Sequence, residues 1–451
     1  MEPGRGGVQF RRRLVFWVLG VHNLASVNGP GAKWLPALAN RRFRGLLVVW
    51  AGIPIGLVYL WRGLIQPLLF GTYLGDFQES YMPAAARLAA GRDPYELCKT
   101  MGCLEPTGPQ YVTPPPLAWL LQPMVGIDSH LLGIAVILVL NASLVAFFVF
   151  ALRALRVDEW QMGTLLVLVA LSFEPVVGNI NEGQINLVLL ALSGVWFWCW
   201  VNDRWWGGAA LGLAVALKLI QAPVGLLVLW ARRWAMLAAA VVAGLGLWLI
   251  SAPQYLPEYL FQVLPKVGEG TGLFENHSPG GTIARLVEPD TFLGAQHGSP
   301  LAARVITTAV AIAAVLVTAA VLRSPATSSM GRSLEAAAAV AVTPMVASYS
   351  WGTHLVLLLL PMLVLVAWGV RRLDWTVLAL VGVGWALISA GHGWFLSLLN
   401  SGFSNLLVLR LMAEFGLVGI LAIWIASLLA VRRERSLAPT TAPAAPVSVS
   451  T

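Results

Sequence analysis

Apolar stretches long enough to cross a bilayer follow one another along most of this 451-residue chain. Hydrophobic residues make up 58% of the sequence and charged residues only 11%, whereas soluble globular proteins carry about 25% charged residues. So few charges cannot cover a surface in water, which excludes an ordinary soluble enzyme, a disordered protein and a fibrous protein. The sequence therefore predicts an all-α, polytopic membrane protein.

A spanning helix needs roughly 20 apolar residues. The predicted spans lie at residues 46–70, 130–152, 160–175, 184–201, 234–254, 301–322, 334–348, 353–370, 375–391 and 405–430. The segment 207–230 is interrupted near Gln221–Pro223 and is flanked by arginines. It is either a hairpin that enters from one side or one irregular span, so the membrane body 46–430 holds about 11 or 12 helices or half-helices.

Arginine and lysine mark the cytoplasmic side of a membrane protein. The N-terminal segment 1–45 is rich in arginine, and basic connections recur along the chain up to Arg432–Arg435. These basic connections all fall on the same side of the membrane only if segment 207–230 returns to the side from which it entered. This requirement favours the hairpin. We expect a multi-pass protein of the plasma (inner) membrane with both termini cytoplasmic. The net charge of +8 is then a topology signal and gives no case for a nucleic-acid partner.

Both ends of the chain differ from the membrane body. Arg11–Arg13 followed by Leu14–Val21 has the form of a weak signal peptide, but the apolar run is short and Arg41–Arg44 follows it. We favour an interfacial cytoplasmic segment. Residues 431–451 are predicted to form a disordered cytoplasmic tail, which towards its end is rich in Ala, Pro, Ser and Thr.

Polar and acidic residues are concentrated on the predicted outer side, mainly in the loops 71–129 and 255–300. This asymmetry predicts a functional site at the outer membrane–water boundary. Cys98 and Cys103 flank one short polar loop and can form a small disulfide if that loop faces an oxidising compartment.

Asp76 and five short stretches carry candidate chemistry. Asp76 directly follows the first span and precedes an Ala-rich helix; a solvated helix cap is its simplest role. The other residues of interest lie in five stretches: Gly91-Arg92-Asp93-Pro94-Tyr95, Tyr111-Val112-Thr113-Pro114-Pro115, Gly183-Gln184-Ile185-Asn186, the glycine-rich segment Gly207–Lys218, and Ser350-Trp351-Gly352-Thr353-His354.

In this order, over roughly Gly75–Pro361, these motifs resemble the integral-membrane glycosyltransferases of the GT-C class, and in particular glycosyltransferase family 87. The resemblance implies the GT-C fold, with a transmembrane catalytic domain over 46–430 and outer interfacial helices. It implies a polyprenyl-phosphate sugar donor, a glycolipid or glycan acceptor, and transfer at the outer face of the lipid bilayer. The usual Tyr-Pro-Pro is Val112-Thr113-Pro114-Pro115 here, and the proline after Lys218 is more distant; both departures concern the acceptor fit.

The resemblance assigns the general base to Asp76. An acceptor hydroxyl has a high pKa and needs a base as the new bond forms, and a base opposite the leaving phosphate would invert the anomeric centre through an oxocarbenium-like state. Cations and N–H donors should hold the phosphate, and the candidates are His354, Arg285, His277 and Lys218. The candidates for acceptor or sugar binding are Tyr81, Tyr95, Tyr111, Gln184, Asn186 and Trp351.

Simpler interpretations remain for several of these residues. His354 can be a polar interfacial cap, Lys218 can snorkel to the membrane surface, and the stretch Glu275–Arg285 is either a phosphate-binding helix start or a flexible Gly-Pro turn. Arg410 and Glu414 have the i, i+4 spacing of a salt bridge within one helix.

Three further expectations concern residues and groups outside these motifs. Arg62 in the first span can snorkel or touch lipid phosphate, and the tryptophans around Trp196–Trp206 are expected mostly in an interfacial belt. No Asp-x-Asp pair or nucleotide fingerprint is present in the sequence, so we expect neither a metal nor a cofactor.

The resemblance favours a mannosyltransferase that uses polyprenyl-phosphate mannose, and two alternatives to it stay open. An arabinofuranosyltransferase that uses decaprenyl-phosphate arabinofuranose would need the same Asp and topology. A sugar-lipid transporter would instead place polar residues mid-membrane in paired repeats, and no convincing repeat is present in this sequence.

Overall fold

The computed structural model describes residues 40–70, 74–101, 103, 110–292, 298–403 and 405–437. The signal-peptide-like stretch, nearly all of the predicted N-terminal segment 1–45 and the tail beyond residue 437 lie outside the described residues.

Every regular element in the described residues is helical. The first helices are α1 (Arg41–Leu60), α2 (Gln66–Phe70), α3 (Met82–Ala89), α4 (Glu96–Met101), α5 (Pro115–Leu121), α6 (Ser129–Ala154), α7 (Trp160–Leu171), α8 (Glu174–Glu182), α9 (Asn186–Val201), α10 (Gly207–Leu217) and α11 (Val224–Trp230). The later helices are α12 (Trp234–Ser251), α13 (Leu256–Glu258), α14 (Leu264–Gly268), α15 (Pro279–Val287), α16 (Leu301–Leu322), α17 (Ser329–Ala341), α18 (Thr343–Val346), α19 (Leu359–Arg372), α20 (Trp375–Asn400), α21 (Leu406–Ala413) and α22 (Phe415–Leu437). Turns of π-helix occur at Trp61–Ile65, Phe77–Tyr81 and Tyr259–Val263, and 3-10 turns at Gln122–Met124, Leu219–Gln221, Pro253–Tyr255, Pro289–Phe292 and Gly352–Leu358.

The helices confirm an all-α, multi-pass membrane protein. Within the described ranges, 6 helical stretches are long and apolar enough to cross a bilayer, or up to 7 if α7 and α8, which are bent by 56°, form one span. The six are Gly45–Phe70, Ser129–Ala154, Trp234–Ser251, Leu301–Leu322, Gly352–Arg372 and Leu406–Leu437. Shorter apolar helices at Asn186–Val201, Gly207–Leu217, Leu219–Trp230 and Trp375–Gly391 cover the predicted spans 184–201 and 375–391 and the segment 207–230. The predicted span 334–348 is instead divided between the short helices α17 and α18.

The segment 207–230 is a hairpin, as the alternation of arginines predicts. Its helices α10 and α11 are separated by the turn at Lys218–Pro223, and the chain after α11 returns to the end of α9, where the Arg233 guanidinium donates to the Trp200 carbonyl oxygen (2.8 Å). The next helix, α12, runs parallel to α10. A Cβ added at Gly212 would lie 2.1 Å from the Ala240 carbonyl oxygen, so only glycine permits this close helix contact. The hairpin therefore ends in a tip inside the bundle, and the tip carries Lys218.

The centre of the bundle is the 3-10 turn Gly352–Leu358 with α19, and residues 352–365 of that stretch are all buried. Trp196 and Trp200 also lie in this core, with exposed fractions of 1% and 0%, which corrects their assignment to an interfacial belt. Trp205 and Trp206, just beyond α9, are exposed as a belt requires. Burial of the first two indoles therefore reflects packing among helices and not contact with lipid headgroups.

Basic residues from separate connections meet at one end of the bundle. Acids or backbone carbonyls pair with each of them: Arg233 with Asp203, Arg371 with the Leu155 carbonyl, Arg372 with Glu434, Arg433 with Asp374, and Arg435 with Glu335. We call this the basic end and the opposite one the site end. Residues 431–437 complete α22, so this part of the predicted disordered tail is helical and is held by Arg433 and Arg435.

Charge within the first apolar helix is also paired. Arg62 donates two hydrogen bonds to Glu174 at the start of α8, each 2.9 Å long. The guanidinium and carboxylate planes match in this bidentate geometry, which is the strong form of such a pair. Arg62 thus joins α1 and α8, although the sequence predicts snorkelling or contact with lipid phosphate.

Candidate active site

Three chain segments bring the site together at the site end. Asp76 follows α2, Gln184 and Asn186 stand at the start of α9, and Lys218 is the extended residue that ends α10 (φ −159°, ψ 120°). The turn before Gln184 requires glycine: Gly183 has φ +65°, and a Cβ there would lie 2.6 Å from the Cβ of Phe77. This close approach places the start of α9 directly against the segment that carries Asp76.

A hydrogen-bond network joins these side chains. The Lys218 ammonium donates to Gln184 Oε1 and to Asn186 Oδ1, both at 3.1 Å, and the Tyr81 hydroxyl donates to the same Gln184 oxygen at 2.6 Å. An ammonium group has only donors, so these contacts fix the orientation of both amides. Gln184 Nε2 must then face the other way, where it donates to Asp76 Oδ2. The orientation of the Asp76 carboxylate is thus set, through Gln184, by Lys218 and Tyr81.

Two donors of this network have no acceptor in the described part of the chain. Asn186 is fully buried, and its Nδ2 has no hydrogen-bond partner. Lys218, with an exposed fraction of 7%, uses two of its N–H groups on amide oxygens and has a third left over. Buried donors without acceptors are costly, so the site is organised to receive an acceptor-rich or anionic group.

Burial raises the pKa of the Asp76 carboxyl above its usual range, while the hydrogen bond from Gln184 and the charge of Lys218 lower it. The raised pKa makes Asp76 a better proton acceptor than an ordinary surface aspartate. The carboxylate does not cap the following helical turn by a side-chain hydrogen bond. The simplest role offered by the sequence, a solvated helix cap, therefore does not describe this residue.

The segment that follows α18 forms another side of the site. His354 is buried, and its Nδ1 accepts a hydrogen bond from the Trp351 backbone N–H at 3.2 Å. A neutral ring with this contact carries its proton on Nε2. The ring of Tyr349 lies 5.7 Å from the His354 ring, and burial together with the charge of Asp76 raises the pKa of Tyr349 to about 12. Tyr349, which sequence reasoning missed, therefore packs against His354 on this side of the site.

Three tyrosine rings in contact with one another form the side of the site that faces the first long loop. The Tyr111 ring lies 6.5 Å from Tyr81 and 5.5 Å from Tyr95. The hydroxyl of Tyr111 donates to the Pro114 carbonyl (2.6 Å), and that of Tyr95 donates to the Thr113 carbonyl (2.9 Å). Because both hydroxyls have backbone partners, Tyr95 and Tyr111 hold the loop in shape, and only Tyr81 reaches the Asp76 network.

Arg285 and His277 lie in a separate cluster that supports the second long loop. The Arg285 guanidinium binds Glu414 (2.8 Å) and donates to the carbonyls of Leu273 and Asn276. Glu414 therefore pairs with Arg285 and not with Arg410, which corrects the salt bridge expected within α21. The backbone N–H of His277 donates to the Ser350 carbonyl at 2.9 Å. The structure thus groups Asp76, Lys218 and Gln184 in one network and places Arg285 and His277 beside it.

Glu275 is a carboxyl group that sequence reasoning did not assign to the site. It is half-buried and has no hydrogen-bond or ion-pair partner among the described residues, although the next residue, Asn276, is fully buried and accepts from the Ser350 backbone N–H at 2.9 Å. Burial and the charges of Glu182 and Asp76 raise the pKa of Glu275 to about 7. Its one sequence signal is an acid directly before the Asn276–Gly281 turn. Within the described ranges, no three His, Cys, Asp or Glu side chains are arranged to hold a metal ion.

Glu275→Gln is expected to stabilise the protein at alkaline pH. The pKa of Glu275 is about 7 in the folded state and near 4.5 when exposed, so the folded state binds the proton more tightly and loses stability as the pH rises from 4.5 to 7. The full penalty above pH 7 is about 3 kcal/mol. Thermal unfolding in detergent should show a higher Tm for the variant at pH 8 and equal values at pH 4. Glu79→Gln, at an exposed acid on the same loop side, is the control, and an equal Tm shift at both pH values would contradict the assignment.

The sequence profile of glycosyltransferase family 87 matches residues 111–348, just over half of the chain. The chain belongs to glycosyltransferase family 87. The matched region contains Gln184, Asn186, Lys218 and Glu275 and ends before His354. Asp76 precedes it, so its place in the site rests on its hydrogen bond to Gln184.

Two characterised relatives share part of this chain. One is the polyprenol-phosphate-mannose-dependent alpha-(1-2)-phosphatidylinositol pentamannoside mannosyltransferase of Mycolicibacterium smegmatis, 36% identical over 131 residues, which are 27% of this chain and 30% of that protein. The other is the alpha-(1->3)-arabinofuranosyltransferase of Corynebacterium glutamicum, 24% identical over 265 residues, which are 56% of this chain and 60% of that protein. The matches therefore span less than two thirds of the length of either relative.

Proposed function

We propose that the protein is a membrane glycosyltransferase that moves mannose from a polyprenyl-phosphate donor to a hydroxyl of a glycolipid or glycan. Asp76 acts as the general base, and the sugar is transferred with inversion. The observation that carries the proposal is the Asp76 carboxylate oriented by Gln184, which is itself held by Lys218. Family membership supports the reaction class.

The proposed step joins the acceptor oxygen to the anomeric carbon as the bond from that carbon to the phosphate oxygen breaks. The acceptor hydroxyl gives its proton to Asp76, and the bond electrons leave with polyprenyl phosphate. Negative charge grows on the leaving phosphate, where preorganised donors lower the barrier most. The third Lys218 N–H and Asn186 Nδ2 can supply such donors, and His354 can supply another through Nε2–H, because its Nδ1 accepts from the Trp351 N–H.

The site end is proposed to face the extracytoplasmic side. The basic end gathers arginines that mark the cytoplasmic face of membrane proteins. At the site end, Cys98 and Cys103 are joined by a disulfide, and disulfides persist in oxidising compartments. The polar residues gather at one end of the bundle and not in paired mid-membrane repeats, which favours an enzyme over a transporter.

Mannose is proposed as the sugar because the relative with the higher identity uses polyprenol-phosphate mannose. An arabinofuranose donor is the second candidate, favoured by the longer match to the arabinofuranosyltransferase.

The donor can be identified with purified protein in liposomes. Radiolabelled polyprenyl-phosphate mannose and decaprenyl-phosphate arabinofuranose are supplied in turn, each with phosphatidylinositol mannosides or arabinan oligosaccharides as acceptors. We expect label to move from the mannose donor into the acceptor fraction. Transfer from the arabinofuranose donor alone would keep the reaction class and change the sugar, and retention of both labels on their donors would argue against the function.

A further inference from the structure

A cavity of about 450 Å³ lies at the basic end of the bundle, opposite to Asp76. It opens between two connections, one from α6 to α7 and the other from α19 to α20. Four of its lining residues are charged and four are apolar. The volume falls in the range of about 300–1,000 Å³ that is usual for small-ligand pockets. The proposed mechanism, which acts at the site end, does not use this cavity.

The charged groups that line the cavity are two guanidiniums and two carboxylates. The guanidiniums belong to Arg156 and Arg371, and the carboxylates belong to Asp158 and Glu159. Within the described ranges, the side chains of Arg156 and Asp158 have no hydrogen bond or ion pair. Arg371 donates through Nη2 to the carbonyls of Leu155 (3.0 Å) and Arg156 (3.3 Å), and its other N–H groups have no acceptor in that part of the chain. The cavity therefore has donors and a carboxylate available to a ligand, and its lining has no net formal charge.

Two of the lining residues have a backbone conformation that favours glycine. Arg156, just after α6, has φ +49°, and Leu373, just after α19, has φ +54°. Glycine is the usual residue at such a helix end, because a side chain is strained in the left-handed region. The chain instead has an arginine and a leucine there, and both line the cavity. The fold thus tolerates strain at two positions whose side chains shape this cavity.

Tryptophans beside the cavity indicate its level in the membrane. Trp160 begins α7 directly after Glu159, and Trp375 begins α20 two residues after Leu373. Their exposed fractions are 60% and 45%, and exposed tryptophans at the ends of membrane helices lie at the level of the lipid head groups. Leu373 is 44% exposed and supplies an apolar edge to the same cavity. A lipid head group can therefore enter the cavity while its acyl chains stay in the bilayer.

We propose that this cavity binds the head group of a zwitterionic phospholipid, phosphatidylethanolamine. Arg156 and Arg371 donate to the phosphate, a group that guanidiniums bind through several N–H groups at once, and Asp158 accepts from the ammonium group. An anionic head group such as that of phosphatidylglycerol would meet the two carboxylates without a cation of its own. The bound lipid joins the turn after α6 to the turn after α19, and this role does not depend on the proposed sugar transfer.

Two glycine variants test the phosphate contact. Arg156→Gly removes one guanidinium and relieves the strained backbone, so the Tm in lipid-free detergent should not fall. Arg323→Gly makes the same change just after α16, where Arg323 has φ +46° and lies outside the cavity. Binding of palmitoyl-oleoyl phosphatidylethanolamine to the full-length protein is measured by native mass spectrometry. We expect Arg156→Gly to weaken binding at least about tenfold and Arg323→Gly to leave it unchanged.

Asp158→Asn tests the ammonium contact. Asp158 is exposed and has no partner among the described residues, so this variant probes the cavity without disturbing the fold. The wild type should bind phosphatidylethanolamine more tightly than palmitoyl-oleoyl phosphatidylglycerol, and Asp158→Asn should reduce that preference.

Three results would overturn the proposal. The first is equal phosphatidylethanolamine binding by the Arg156→Gly and Arg323→Gly proteins, and the second is a lipid preference that Asp158→Asn leaves unchanged. The third is binding of inorganic phosphate, weakened by Arg156→Gly, in a protein that retains neither lipid, which would identify a site for a soluble anion. Since these probes carry no transferable sugar, a failure of sugar transfer would not affect any of these outcomes.

Discussion

Asp76→Asn is expected to lower the rate of sugar transfer by about 10²–10⁴-fold, the usual contribution of a general base. Asparagine keeps the shape of the side chain, and its Oδ1 can still accept from Gln184, so the network that holds this position survives. What is lost is the ability to accept a proton from the acceptor hydroxyl. The effect should therefore fall on kcat, with little change in KM for the donor, and is measured by radiolabel transfer in liposomes.

Glu79→Gln is the matched control for this variant. Glu79 lies three residues further along, is exposed and has no hydrogen-bond or ion-pair partner among the described residues, so neutralising it should leave transfer unchanged. If Asp76→Asn keeps transfer within a few-fold of the wild type, another group must take the proton. Glu275 would then be the next residue to test, because its pKa of about 7 also suits a base near neutral pH.

The membrane architecture could be predicted because it depends on local composition. Apolar runs of spanning length fix where helices lie, and the placement of arginines favours a hairpin over a single span at 207–230. These predictions needed only neighbouring residues and the side of the membrane. Gln184 and Asn186 became candidates through the resemblance to the family, and the structure places Gln184 in hydrogen-bond contact with Asp76.

The chemical pairings could not be predicted, because each joins residues far apart in sequence. Glu414 has Arg410 at the favourable i+4 spacing, worth only a few tenths of a kcal/mol on a helix surface, and packing instead placed Arg285 against it. Trp196 and Trp200 have the composition of belt residues, and their burial depends on the helices around them. Glu275 begins the stretch Glu275–Arg285 that the sequence singles out, but only the structure shows that its carboxyl has no hydrogen-bond partner among the described residues.

Lys218→Met is expected to lower transfer by about 10²–10³-fold, as removal of one preorganised electrostatic donor does in other enzymes. Methionine fills a similar volume but leaves the oxygens of Gln184 and Asn186 without the ammonium donor. The leaving phosphate also loses the cation proposed to stabilise it. Both losses act on the transition state, so kcat should fall further than the donor affinity.

Lys218→Met should also shift the dependence of the transfer rate on pH, which a loss of packing at this position would not do. Lys218 lowers the pKa of Asp76 by its charge, so its removal raises that pKa. Asp76 must be deprotonated to act as a base, and the acid limb of the profile should therefore move to higher pH. Lys218→Arg keeps the charge and should leave the limb in place, whereas Lys266→Met removes an exposed cation elsewhere and should change neither rate nor profile. A Lys218→Met protein with lower activity but an unmoved acid limb would show that Lys218 acts through the fold of the hairpin tip and not through the charge of the base.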